Sequence, residues 1–295
     1  MLFRSGRLGY QSDAQASLAV SYNGLEGYAN SLHAALTQPY PAYEAVGIRN
    51  PGGDYNQLGT SLLQIENEFY GTIRPKRTVR SGERPLHALR ERGVEYVEVR
   101  LMDLDPFEPV GIAASTMRFL DIFLLHCLLT DSPPDTPDEI EQLKRNQHRA
   151  AEQGREPGLQ LERMGQAVAL RDWAAEILAE CSPVAEALDA AHGTQDYSAA
   201  LEAAGQRFKQ AAQTPSARVL QAMAQSAANS FSAFSLQQSI AARDAILALP
   251  WSEQQQAHFV ALANQSLAAQ KALEAADTLP FEDWRQRYMA PSELG

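Results

Sequence analysis

Apolar and polar positions keep two different rhythms along these 295 residues. Up to about residue 110, short alternating runs are separated by turn clusters such as NPGGD at Asn50–Asp54. Beyond it, apolar residues recur at three- and four-residue intervals. In the first part, NGLEGYANSLHAAL places Leu25, Tyr28, Leu32 and Leu36 on one helical face, with Pro39 just past the end. Asn23 followed by Glu26 has capping-box spacing, which predicts a helix entered at Asn23. Two alternating runs predict strands. In LLQIENEFY, Leu63, Ile65, Asn67 and Phe69 oppose Gln64, Glu66, Glu68 and Tyr70. In VEYVEVRL, Val97, Val99 and Leu101 oppose Tyr96, Glu98 and Arg100. Side by side in one sheet, they would offer an apolar face to a core and a carboxylate-rich face to the other side.

The second part reads as helices. MRFLDIFLLHCLL, Met117–Leu129, is too short to span a bilayer and is interrupted by Arg118 and Asp121, so it predicts a buried helix. DTPDEIEQLKRNQHRAAEQG places its acids early and its bases late, as the helix dipole favours, and GREPG breaks it. Further helical stripes run through AVALRDWAAEILAE, SARVLQAMAQSAANSF, QQSIAARDAILAL and EQQQAHFVALANQSLAAQKALEAAD. Alanine-rich seams there predict close antiparallel packing. The pattern predicts an α+β chain, with a sheet-bearing region over 1–110 and a helical region over 111–295.

A net charge of −11 argues against a nucleic-acid or anionic-membrane partner. The opening MLFRSGRLGY lacks the apolar core of a secretory leader, and there are only two cysteines, Cys127 and Cys181. Both sit in helix-like apolar surroundings and read as packing residues, so a reducing cytoplasm is the expected compartment. The sequence contains no GxxxxGK[ST] loop, GxGxxG, GxSxG, CxxC or HExxH, and its six histidines are scattered.

Two features remain. From Arg74 to Arg92 the chain carries seven Lys or Arg against two Glu, a local reversal of its charge. This is either a solvated connection into the short helix PLHALRERG or a clamp for phosphate, whose oxygens match guanidinium forks. Glu98 and Arg100 share one strand face. They form either a surface ion pair or a site in which the carboxylate binds a divalent cation and the arginine stabilises charge on a transferred phosphoryl group.

The words of this region resemble a known family. LLQIENEFYGTIRPKRTVRSGERP followed by GVEYVEVRLMDLDPFEPVGI is similar to the central motif region of proteobacterial glutamate–cysteine ligases, also called gamma-glutamylcysteine synthetases. LGYQSDAQ near the start, then RFLDIFLLHCLL, NQHRAAEQGREPGLQL, TPSARVL and EAADTLPFEDW, resemble segments of that family in order. The resemblance implies ATP- and Mg2+-dependent joining of the L-glutamate γ-carboxyl to L-cysteine through a γ-glutamyl phosphate, the first step of glutathione synthesis, with Mn2+ as an alternative ion. It also implies part of a glutamine-synthetase-like antiparallel sheet followed by a large helical region. By motif, Glu98 is a metal ligand and Arg100 faces the transferred phosphate. Tyr70 and Tyr10 line the cysteine pocket, and Arg4 lies near the substrate and phosphoryl positions. Arg74 is assigned to ATP on charge grounds, while Glu66 and Glu68 are candidates to position substrate.

Members of the family carry a segment before LGY with a glutamate-rich strand that supplies most metal ligands. Gly6 and Arg7 also stand where the family has a Ser-Asp pair. The sequence therefore predicts a portion of the enzyme that lacks its N-terminal partner segment and is inactive alone. Two other readings stay open: a ligase using another amine acceptor, and a helical regulatory or interaction protein derived from the ligase.

Overall fold

The computed structural model describes residues 14–15, 18–100, 102–226 and 228–294. They form an α+β chain that separates into two units. Val99–Ile246 make one, and the residues up to Glu98 together with those from Leu247 onward make the other. The passage from one to the other falls inside a strand at Glu98–Val99, ahead of the compositional change near 110. The return of the C-terminal stretch to the first unit has no counterpart in the sequence pattern.

In the first unit, α1 (Leu25–Thr37) buries Tyr28, Leu32 and Leu36 as the stripe predicts, along with Ala29 and Ala35. Its entry differs from the capping box. The residue before the helix is Gly24, with φ 111, a backbone value that favours glycine, and the Asn23 N–H donates to Ser21 Oγ at 3.1 Å. α2 (Pro41–Val46) is short. LLQIENEFY is not a strand. Leu63 is fully buried, and Glu66–Glu68 close a single 3-10 turn that takes Glu66 inward and leaves Asn67 outside. β1 (Ile73–Lys76), α3 (Pro85–Arg92) and β2 (Tyr96–Val99) follow, and β1 and β2 pair as a two-stranded sheet. α1, the Leu63–Phe69 segment and α3 share a core of Leu32, Leu36, Leu63, Phe69, Leu86 and Leu89. Each such side chain contributes roughly 1.5–3 kcal/mol.

The alternation in β2 does not divide core from water. Tyr96 is 48% and Val97 44% exposed, so both faces are wet at its start. Leu101 lies outside the described residues.

In the other unit, α4 (Ala114–Leu129) and α5 (Pro137–Gln153) precede a hairpin of β3 (Gln160–Arg163) and β4 (Gln166–Ala169). α6 (Leu170–His192), α7 (Asp196–Lys209), α8 (Pro215–Ser226) and α9 (Phe231–Leu247) follow. Sequence reading assigned the β4 segment to a helix. The hairpin turns on Met164 and Gly165, with φ 50 and 76, the two positive values of the tightest hairpin turn. Asn146 of α5 closes the edge of β3, donating to Glu162 O at 2.6 Å and accepting from its N–H at 2.8 Å.

α4 is helical but only Ile122 is fully buried, because α6 and α7 cover a single line of it. Leu128 and Leu129 are more than 70% exposed. Cys181 is buried and Cys127 is exposed, so only the former is a packing residue. Asp189 of α6 caps α7, accepting from the N–H of Tyr197 at 2.9 Å and of Ser198 at 3.0 Å. α10 (Glu253–Ala276) and α11 (Phe281–Met289) belong with the first unit. Among the described residues no helix is long and apolar enough to cross a membrane.

Candidate active site

The segment that carries the family words is organised around the turn at Glu66–Glu68. Gln15, the last residue of LGYQSDAQ, binds the turn from outside. Its amide donates to Glu68 O at 2.7 Å and accepts from the Tyr70 N–H at 3.2 Å. Two motifs separated by 55 residues are thereby tied through one side chain. The Glu68 carboxylate accepts from the Gln64 N–H at 2.8 Å. Gly71 is required by crowding, since a Cβ there would sit 2.8 Å from the Phe69 ring and 2.9 Å from the Tyr22 hydroxyl.

Beneath the turn lies a buried ion pair. Glu66 and Arg84 have side chains only 6% and 2% exposed, with Arg84 Nε 3.1 Å from both carboxylate oxygens and Nη2 2.9 Å from Oε2. Arg84 Nη1 also donates to Tyr288 O at 2.6 Å, and the guanidinium lies 4.3 Å over the Tyr288 ring. The pair therefore locks the turn, the start of α3 and α11 together. Glu66 is thus held by Arg84 and turned away from solvent. Nearby, burial pushes the Tyr28 hydroxyl up to about 12, against the opposing pull of Arg74, so it stays neutral.

The basic connection runs from β1 through an exposed loop at residues 78–82 into α3, and most of its bases meet acids or carbonyls of the same unit. Arg74, 4% exposed, donates through Nη2 to Phe69 O and to Asn67 O at 3.1 Å. Its guanidinium holds the turn from within. Lys76 Nζ lies 3.7 Å from Glu98, Arg77 lies 3.8 Å from Glu95, and Arg92 grips Glu83 at 2.6 and 2.8 Å. Arg90 bonds Asn30 Oδ1 at 3.0 Å and Leu294 O at 3.3 Å. A charge census sees the excess of bases but not the acids and carbonyls that return to meet them.

These pairs set an acid limit on stability. The Arg92 guanidinium, with the Arg80 N–H, holds Glu83 well below its ordinary value of 4.5. Arg285, Tyr55 and Gln286 do the same for Glu282. A carboxyl whose folded pKa is depressed stabilises above the unfolded pKa and loses that contribution as pH falls through the folded one. The unfolding midpoint in urea is expected to drop from about pH 5 to pH 3, and to drop less in Glu83→Gln/Glu282→Gln. A double variant with the same acid slope as the parent would refute this account.

Glu98 is half-buried on β2, with Lys76 as a partner across the two-stranded sheet. Arg100 is half-buried one residue beyond the strand. Tyr70 is half-buried beside the turn. Arg4 and Tyr10 lie outside the described residues. Among the described residues no three His, Cys, Asp or Glu come together as a metal site. Glu98 alone, with an ammonium 3.7 Å away, does not satisfy a Mg2+ ion that needs several oxygens.

Residues 2–150 match the family model for glutamate–cysteine ligase. The chain is 47% identical over 287 residues to a glutamate–cysteine ligase of Janthinobacterium sp. (strain Marseille), a match that covers 97% of this chain and 54% of that protein. It is 43% identical over 289 residues to one of Alcanivorax borkumensis, covering 97% and 55%. Among solved structures, glutamate–cysteine ligase from Francisella tularensis in complex with AMP superposes with TM-score 0.89 at 35% identity, over 98% of this chain and 57% of that one. A bifunctional glutathione synthetase from Pasteurella multocida, 21% identical with TM-score 0.52, shares the fold over 80% of this chain. The chain thus spans about half the length of the curated relatives it matches. With the matching motifs clustered on the Gln15-tied turn and on β2, the chain belongs to the glutamate–cysteine ligase family.

Proposed function

We propose that this chain supplies part of the site for ATP-dependent joining of the L-glutamate γ-carboxyl to the L-cysteine amine. In that reaction the γ-carboxylate attacks the terminal phosphorus of ATP and ADP leaves. The cysteine nitrogen then attacks the acyl phosphate, phosphate leaves with the bonding pair, and the nitrogen gives up a proton. The observation that supports the reading best is the AMP-bound relative, whose backbone this chain follows over nearly its whole length. Arg100 stabilises charge on the transferred phosphoryl group, and Tyr70 lines the cysteine pocket, with Tyr10 as a second wall and Arg4 near the phosphoryl position. Glu98 is one ligand of a Mg2+ site, and Mg2+ would screen the ATP phosphates. The described residues do not complete that site. The cytoplasm is the fitting compartment for ATP and a free thiol substrate.

Because one carboxylate cannot hold a metal–triphosphate unit tightly, the chain by itself is expected to show no ADP formation dependent on both glutamate and cysteine. Activity is expected when it is co-expressed with the part of the Janthinobacterium ligase that lies outside the matched region. Robust turnover by the chain alone would overturn the first expectation. Failure of a well-folded combined enzyme to couple ADP release to both amino acids would overturn the catalytic reading.

A further inference from the structure

α10 is exposed at every residue along its length. It is 24 residues long, begins with a complete capping box from Ser252 and Gln255, and has no buried residue. From Gln254 to Gln270 it carries no Asp, Glu, Lys or Arg, in a protein whose residues are 21% charged. Its large apolar side chains, Phe259, Val260, Leu262, Leu267 and Leu273, fall on one helical face, and each is half exposed or more. The opposite face is a row of alanines, Ala257, Ala261, Ala268, Ala272 and Ala275. Trp251 stacks on Phe259 at 5.4 Å between ring centroids and lengthens the apolar strip. A helix with apolar rows on two opposite sides and only three charged side chains, Glu253, Lys271 and Glu274, offers two faces to a covering layer.

We propose that α10 is an interior helix of the assembled ligase, covered on both faces by the part of the enzyme that relatives carry outside the matched region. The relatives share this helix, since the match extends over 97% of this chain, and they are nearly twice as long. A second copy of this chain is a poor cover. A helix about 36 Å long with a contact strip about 10 Å wide offers roughly 350–400 Å², against about 800 Å² per partner in a standard stable interface. Ser266 and Gln270 interrupt the centre of the large-residue face, where a self-paired coiled coil needs apolar knobs. Pairing would also leave the alanine row in water. A surrounding layer of protein covers both faces at once. This inference rests on family membership and not on the catalytic reading.

The test is hydrogen exchange of the full chain, alone and co-expressed with the unmatched part of the Janthinobacterium ligase. Co-purification is expected, with amides from Phe259 to Leu273 slowed at least tenfold in the complex. Phe259→Glu/Leu267→Glu is expected to weaken association at least tenfold, while exchange in α1 and α3 stays at the parental rate. Should that variant unfold, Leu273→Asn at the far end of the strip reads the same surface. Three outcomes overturn the proposal: no association, association that leaves α10 exchanging as in the free chain, or protection in the chain alone that rises with concentration alongside a dimer mass. ADP formation is measured separately. Docking without turnover retains the surface and removes the catalytic reading; turnover with α10 unprotected does the reverse.

Discussion

Arg84→Ala is expected to lower the unfolding free energy by about 3–5 kcal/mol, the usual loss when one partner of a buried ion pair is removed. The reason is the environment of Glu66. Its carboxylate is 6% exposed and receives both Arg84 Nε and the Leu86 N–H. Without the guanidinium it must stay charged in a poorly solvated site or take up a proton. Arg84 also donates to Tyr288 O, so its loss loosens α11 as well. Glu66→Ala is expected to be comparably damaging, because it strands the arginine. The informative comparison is Glu66→Met/Arg84→Met. With neither charge left, the double variant should be more stable than either single loss, since apolar pairs often replace buried ion pairs at little net cost. Urea unfolding of the three variants measures this directly. Single variants within about 1 kcal/mol of the parent would mean that water reaches the pair and that its burial has no energetic weight.

What was legible in the sequence depended on whether the signal was local. The α1 stripe could be read because Leu25, Tyr28, Leu32 and Leu36 repeat at helical spacing, and packing followed that spacing. The Glu66–Glu68 turn could not, because E-N-E alternates as a strand does. The residue that decides its shape, Arg84, is 18 positions away and identifiable only by its contact. The burial of Arg74 was hidden for the same reason, since a count of bases carries no information about which guanidinium is buried. The β3–β4 hairpin did leave a sign: Met164–Gly165 sits between two short alternating runs, but Met gives a much weaker turn signal than Asn or Asp. For the site, Glu98 and Arg100 were visible as a carboxylate and a base on one strand. Strand spacing alone could not tell a surface ion pair from a reaction site, and the observed Lys76 partner shows that Glu98 makes cross-strand pairs too. Gln15 stood in plain view within LGYQSDAQ, yet its task is to hold a backbone turn, which no motif spells out.

Arg100 carries the largest expected effect on turnover. In the enzyme assembled from this chain and the unmatched part of the Janthinobacterium ligase, Arg100→Ala is expected to reduce kcat by about 10²–10³, the range for removing one preorganised charge-stabilising donor. KM for glutamate and cysteine should change little, because the charge develops on the phosphoryl group during transfer and not on the bound amino acids. Arg100→Lys keeps the charge but loses the two-pronged geometry that matches phosphoryl oxygens, so it should recover only part of the loss. The position suits such a role. Arg100 follows β2 by one residue, where the paired strand fixes the backbone. If Arg100 is instead one half of a surface ion pair, both substitutions should leave kcat within about twofold, in keeping with the small energies of exposed pairs. Unchanged far-UV circular dichroism and an unchanged urea midpoint in both variants would assign a fall in kcat to the reaction, and a fall shared equally by Arg100→Ala and Arg100→Lys would place the requirement on the fork of donors and not on the charge alone.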